Sequence, residues 1–511
     1  MSIVTIPLAG QIGLVKDIPA QELALNGWSH ASNMVFRDGS AERVFGESPV
    51  FSNASVTPYF LQPMQTRLYK YWLHAGLNAV YVDDGVTRTN ITPSVAPAGV
   101  IDSKYTGGVL NGVAVLNNGS DVPWYWLGNV ASPMQTLTGW NSAWRCNAIR
   151  PLRNYLVALN ISKSGAGFPN LVKWSAAAVP GAVPTSWDEA DASKDAGEQD
   201  LPGDDPIVDM VPLGDTGIIY KERSMWVMRY IGAPFVWQFQ RLPGNVGALS
   251  QNCVADTPVG HVVLTQGDVV LHNGQGPTSI INAKLRKYLF SAMDSTLYKR
   301  SFVSINPPKN EVWVCFPEIG KSSCTKALVW NWIDNVWGIR DLANVTCAAA
   351  GVGSYGAVNS WTSNSNAWTT NQAPWSVENI GAAQSRMVLG TTSNTLLGVD
   401  NVATFNGSNV LASLERTGIS FDDPTSVKTI KLIRPRIDGT SGNTIKIEFG
   451  SQMDVEGGIT WSSSVNYVIG SSFEAHGFAT GRFLAVRFSS TGGQPWRIRS
   501  FDAEIEKNGY Y

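Results

Sequence analysis

Charge is scarce in this chain. Aspartate, glutamate, lysine and arginine make up 15% of its 511 residues, against about 25% in an average soluble domain. The net charge is −2, so no global basic field marks a nucleic-acid binder. The five cysteines (Cys146, Cys253, Cys315, Cys324 and Cys347) are odd in number and form no CxxC or Cys-His cluster. That indicates neither a disulfide framework nor a zinc site, and free, mostly buried thiols are the expectation, as in a reducing cytoplasm.

The five histidines (His30, His74, His261, His272 and His476) fall in no HExxH or HxH pattern. No GxSxG, P-loop or GxGxxG motif has the context its chemistry needs. No catalytic residue, cofactor or metal ligand is nominated, and the chain reads as a non-enzyme. His261 and His272 share one expected hairpin and should lie near each other as polar strand residues. No window approaches ~18 uninterrupted apolar residues, so no membrane-spanning helix is expected. The start, MSIVTIPLAGQIGLVKD, lacks the pattern of a signal peptide. Synthesis in the cytoplasm, without membrane insertion, is the expectation.

Helical periodicity is nearly missing too. One segment, Asn282 to Met293, places Leu285, Tyr288, Leu289 and Ala292 at helical spacing. Elsewhere short runs rich in Val, Ile, Tyr, Trp and Thr alternate with Gly, Asn, Asp and Pro, the signature of strands and tight turns. Hairpin units recur roughly every 40 to 60 residues, the period of β-propeller blades. Leu77–Tyr81 and Asn310–Val314 are near-equivalent turns into strands. Six units between about 60 and 400 predict six blades. From about Leu411 longer alternating strands appear, as in VKTIKLIRPRID and RFLAVRFSSTG, which predict a β-sandwich. The expected organisation is all-β: an N-terminal segment 1–60 packing on or closing the propeller, a propeller over 61–410, and a separate sandwich over 411–511. Insertions are expected near 187–209 and 282–293.

Several stretches carry a resemblance. They are PNLVKWS (Pro169 to Ser175) with Ser186-Trp187-Asp188, and IVDMVPLGDTGIIYKERSMWVMRYIG (Ile207 to Gly232). KNEVWVCFPEIGKSSCTKALVWNWIDNVWGIRDL (Lys309 to Leu342) and GRFLAVRFSSTGGQPWRIRSFDAEIE (Gly481 to Glu506) complete the set. Together they resemble phage and prophage structural proteins similar to the nozzle-type β-propeller tail proteins of short-tailed phages. The likeness runs over most of 150–511 and is weaker before that. It implies a virion tail component, a homohexameric ring around the DNA exit channel below an adaptor. Its partners would be copies of itself, the adaptor, fibres and passing genomic DNA. Hub and DNA-retention plug proteins share this propeller character.

Three features bear on partners. The stretch Asp188 to Asp209 holds nine carboxylates against Lys194 alone. It lacks EF-hand spacing and reads as a solvated loop rather than a calcium site. Basic clusters at Lys284, Arg286, Lys287, Lys299 and Arg300, and at Lys428, Lys431, Arg434 and Arg436, could touch DNA phosphates. The favoured reading of both is a solvated face. Tryptophan pairs two apart, Trp124 with Trp126 and Trp330 with Trp332, read as blade core rather than sugar-stacking platforms. A receptor- or glycan-binding propeller is the alternative function. A propeller glycosidase would need a carboxylate pair about 5 to 9.5 Å apart, which nothing in the sequence nominates.

Overall fold

The computed structural model describes residues 2–66, 70–233, 235–352 and 385–510. Most of its propeller sheets are antiparallel meanders, as expected where four short strands follow one another through tight turns. The first five consist of consecutive strands. They start at Phe60–Gln65, Thr106–Leu110, Trp144–Leu152, Ile207–Leu213 and Val254–Thr257. A sixth runs through Phe302–Asn306, Glu311–Phe316, Cys324–Asn331 and the first part of Val336–Gly351.

The leading strands meet around an axis. Tyr105 Oη donates to Gly76 O at 2.7 Å, and Ile149 N donates to Thr106 Oγ1 at 3.1 Å. Asn252 N donates to Asp209 Oδ2 at 2.9 Å, and Val303 N to Asn252 O at 2.9 Å. Thr346 Oγ1 donates to Pro58 O, which closes the circle onto the first blade.

The architecture is a β-propeller, but the described residues build seven blades where the sequence spacing predicts six. The seventh is discontinuous. Residues 345–351 pair with Arg386–Thr391, which pairs with Leu396–Val399, and the outermost strand is Glu47–Pro49 from the other end of the chain. Such a latch removes the open edge that a ring of sheets would otherwise leave between first and last blades. It also anchors a buried ion cluster: Arg340 Nη2 meets Glu47 at 2.9 Å and Arg340 Nη1 meets Asp400 at 3.4 Å. Gly46 is required there, because a Cβ would lie 1.9 Å from Thr404 O.

The sandwich draws on both ends of the chain. One sheet orders Ala475–Gly481, Ser426–Gly439 and Trp496–Tyr510, with Ser2–Ile6 on Trp496–Tyr510. The other orders Thr444–Gln452, Phe483–Ser490, Ala412–Ile419 and His30–Ser32. Trp28 plugs the space between the sheets, edge-on to Phe488 at 6.1 Å and tilted against Phe501 at 6.2 Å. The N-terminal residues are thus shared between the two bodies.

The hairpin Met34–Arg37 and Ser40–Arg43 is the seam. It bridges from Ile339 of the sixth blade to Ile498 of the sandwich. One hydrophobic core runs through both, from Val262, Val312 and Trp337 to Ile430, Phe449 and Phe488. Each such fully buried side chain contributes about 1.5–3 kcal/mol, so the sandwich is welded to the propeller rather than separate from it.

The helix forms at Arg286–Ala292, with Leu285 and Leu289 buried beneath it. It starts four residues later than the pattern from Asn282 allows, at the point where Asp17 caps it. Asp17 Oδ1 accepts from Lys287 N at 3.1 Å and from Tyr288 N at 3.4 Å.

The expected insertion at 187–209 contains Gly197–Asp200, which is the outer strand of the third blade. Its carboxylates are largely spoken for. Glu189 and Glu198 hold the buried Lys173, and Asp205 meets Lys221 at 3.1 Å.

Candidate functional site

The propeller axis is the one place where all seven blades converge, and the chain fills much of it with its own side chains. Arg150, on the leading strand of the third blade, makes a two-pronged contact with Asp209 of the fourth, at 2.8 and 2.7 Å. The same guanidinium reaches Asn252 Oδ1 at 2.7 Å and Gly107 O at 3.1 Å. Asn252 Nδ2 in turn donates to Tyr105 O at 3.0 Å. A fork of fixed donors is the natural hub here, because it can bind a carboxylate and still reach two more acceptors. Asp209 is fully buried, so losing Arg150 would strand a charge.

A second strut crosses from the entry of the second blade. Lys104 Nζ donates to Ser250 Oγ at 3.2 Å, to Gln251 O at 2.8 Å and to Ser301 O. All three partners are neutral, and burial pushes its ammonium below the ordinary lysine value. Above it Arg300 pairs with Asp102 at 2.9 Å and donates to Ser322 O at 2.6 Å.

Between these struts and the inner strands lies a cavity of about 420 Å³. Its apolar walls include Leu61, Val211, Phe302 and Val345, and its charged lining residues among those described are Lys104, Arg150 and Arg300. Val100 and Ile101 form an exposed apolar lip.

No protein-family model matches the chain. No curated protein matches its sequence either. Two solved structures to which it is similar have 8% sequence identity with it. One is the WD40 beta propeller domain of Doa1, with a TM-score of 0.34, covering 69% of this chain and 96% of that one. The other is PorZ, described as an essential bacterial surface component of the type-IX secretion system of Porphyromonas gingivalis. Its TM-score is 0.36, with 83% of this chain and 46% of that chain covered.

The basic residues singled out by sequence do not converge. Lys284 donates to Asn335 O at 2.6 Å and Arg286 to Gly267 O at 2.7 Å, both tying the helix to its surroundings. Lys287 lies exposed on that helix. Lys299 lies on the short turn 298–300, next to Arg300 at the axial mouth.

In the sandwich, Lys428 must be withdrawn as a phosphate contact. It is 1% exposed, and its ammonium is enclosed by the carbonyl oxygens of Asp423 and Ser426. Lys431, Arg434 and Arg436 stand on the outer face, each opposite a carboxylate. Lys431 pairs with Glu506, Arg434 with Glu474 at 3.2 Å, and Arg436 with Asp502 at 2.8 Å. That is a cross-strand ladder whose field is largely cancelled.

His261 and His272 sit directly opposite each other in the fifth blade, with Tyr220 of the fourth between them. Its hydroxyl lies 2.7 Å from His261 Nδ1 and 2.7 Å from His272 Nε2. The partners fix every proton. Pro212 O can only accept, so His261 Nε2 donates to it at 2.9 Å and Nδ1 accepts from the tyrosine. Gly274 N donates to His272 Nδ1 at 3.3 Å, so His272 Nε2 donates to the tyrosine oxygen. This is a satisfied, neutral inter-blade chain with no nucleophile in it. Among the described residues no group of three His, Cys, Asp or Glu could hold a metal ion. Trp124, Trp126 and Trp330 are buried in blade cores.

The axial network was not legible in the sequence. Arg150, Asp209, Asn252 and Lys104 share no motif, and Asp209 reads as one member of an acidic run. Their common feature is position: each lies in or just before a leading strand, which becomes visible only once the blades are counted correctly.

Proposed function

We propose that this chain is a non-enzymatic structural component of a short-tailed phage tail, a nozzle- or hub-like subunit of a ring around the DNA exit. The resemblance over 150–511 supports this reading, and the scarcity of charge fits surfaces buried against neighbouring copies. The observation that bears on where DNA would pass is the blocked axis. A duplex whose major groove alone is about 12 Å wide cannot thread a space of about 420 Å³ crossed by Lys104 and Arg150. On this reading a passage for DNA would lie between copies, by ring closure through unlike patches.

A rigid subunit suits that role, since the propeller and sandwich share one core and one seam. The outer ladder of Lys431, Arg434 and Arg436, neutralised by its own carboxylates, would not hold passing phosphates tightly. Six copies, and an adaptor above them, are expected from the resemblance alone. The test is composition of the purified particle. Quantitative mass spectrometry should find several copies per virion, co-purifying with tail rather than capsid proteins. Absence from the particle would overturn the reading, and binding of one glycan class on an array would favour the receptor-binding alternative.

A further inference from the structure

The axial cavity has a charge balance that the rest of the chain does not share. Three cations line it, and no described aspartate or glutamate does. Buried Asp209 answers Arg150, and Asp102, exposed between the lining residues Ile101 and Ser103, answers Arg300. Lys104 has no such partner among the described residues: its ammonium meets the oxygens of Ser250, Gln251 and Ser301, all neutral. A half-buried cation without a counter-ion is less well solvated than one in bulk water, and an anion brought close relieves that cost. Apolar lining residues come from several blades (Leu61 of the first, Val211 of the fourth, Phe302 of the sixth and Val345 of the seventh), among polar ones such as Gln62 and Thr346, and the lip at Val100 and Ile101 is apolar as well. A concave, largely preformed space with apolar walls and a few convergent polar groups is the usual form of a small-ligand site.

We propose that the propeller axis binds a small organic anion, a carboxylate or phosphate group carried on an apolar body. The head group lies towards Lys104 and Arg300 at the mouth, and the body packs on Leu61, Val211 and Phe302. The volume suits a single-ring compound, and a polymer or a duplex is excluded by size. The site is independent of the tail reading, because it needs one chain and no ring.

The experiment is calorimetric titration of the full-length protein with phenyl phosphate, with benzamide as a neutral ring of similar size and with inorganic phosphate. One phenyl phosphate per chain should bind, with benzamide and inorganic phosphate each at least tenfold weaker. Arg300→Gln and Lys104→Gln should each weaken phenyl phosphate at least fivefold, while Lys287→Gln, on the distant helix, changes nothing. If Lys104→Gln does not fold, Arg300→Gln and the three-probe comparison on the unaltered chain still decide. Equal affinity for phenyl phosphate and benzamide would overturn the proposal, as would no saturable binding. Equal affinity for inorganic phosphate, or unchanged binding in folded Arg300→Gln, would also overturn it.

Discussion

Arg340 and Glu47 stand 293 residues apart in sequence, yet the arginine Nη2 donates to the glutamate at 2.9 Å with both side chains buried. Glu47 belongs to the strand that completes the seventh blade, and Arg340 to the strand that leaves the sixth. The pair therefore ties the N-terminal latch to the body. Burial raises the Glu47 carboxyl and Arg340 holds it down, so neither group is at ease without the other. Glu47→Ala is expected to cost about 3–5 kcal/mol, because it leaves a buried guanidinium with Asp400 alone. Adding Arg340→Met should cost less than the sum of the two single changes. Urea unfolding of the three variants checks this.

The axial hub should behave in the same way. Asp209→Asn removes the counter-charge of Arg150 and is expected to destabilise by about 3–5 kcal/mol. Asn252→Ala leaves Tyr105 O and one Arg150 donor short, costing about 1–3 kcal/mol. Denaturant midpoints measure both, and an Asp209→Asn protein as stable as the parent would show that the hub is not a structural centre.

Acid should loosen the contact between the fourth and fifth blades. Burial holds His261 below the ordinary imidazole value, and burial followed by the neighbouring His261 lowers His272 to about 4. Asp256 faces His261 at 3.7 Å and opposes the shift. The unfolded chain takes up these protons near pH 6.5 while the folded one resists, so stability is lost as pH falls from about 6.5 towards 4. The slope is at most about 1.4 kcal/mol per pH unit for each histidine. Unfolding midpoints across that range should decline, and His272→Gln should flatten the decline.

On the sandwich face the four basic positions should separate into two classes. Lys431→Ala, Arg434→Ala and Arg436→Ala each break an exposed pair and should shift stability by about 0–1 kcal/mol. Lys428→Ala leaves the enclosed carbonyls of Asp423 and Ser426 without their donor and should cost about 1–3 kcal/mol. Thermal unfolding distinguishes them. Fluorescence anisotropy with duplex DNA should show no loss of affinity specific to any of the four.

The sequence was informative wherever structure is local. The meander units appear as alternating runs because adjacent strands pair through short turns, and Leu285 with Leu289 marks the helix. The seventh blade escaped notice because its strands come from 345–351, 386–399 and 47–49, and no local pattern joins pieces so far apart. For the same reason Trp28, Ser2–Ile6 and His30–Ser32 gave no sign that they complete a sandwich whose other strands begin after 411. At the candidate site the pairing of His261 with His272 followed from their hairpin. The Arg150 hub depends on how blades are arranged around the axis, which strand alternation does not encode.

In the proposed tail role the duplex passes between copies of this chain rather than through any one propeller. Cryo-electron microscopy of the parent virion, with symmetry determined at the tail, tests it most directly. The account predicts several copies of this chain, six on the strength of the resemblance, closed into a ring with the duplex passing between subunits and every propeller axis clear of DNA. A single copy per particle, threefold spikes at the periphery, or DNA density running through a propeller axis would contradict it.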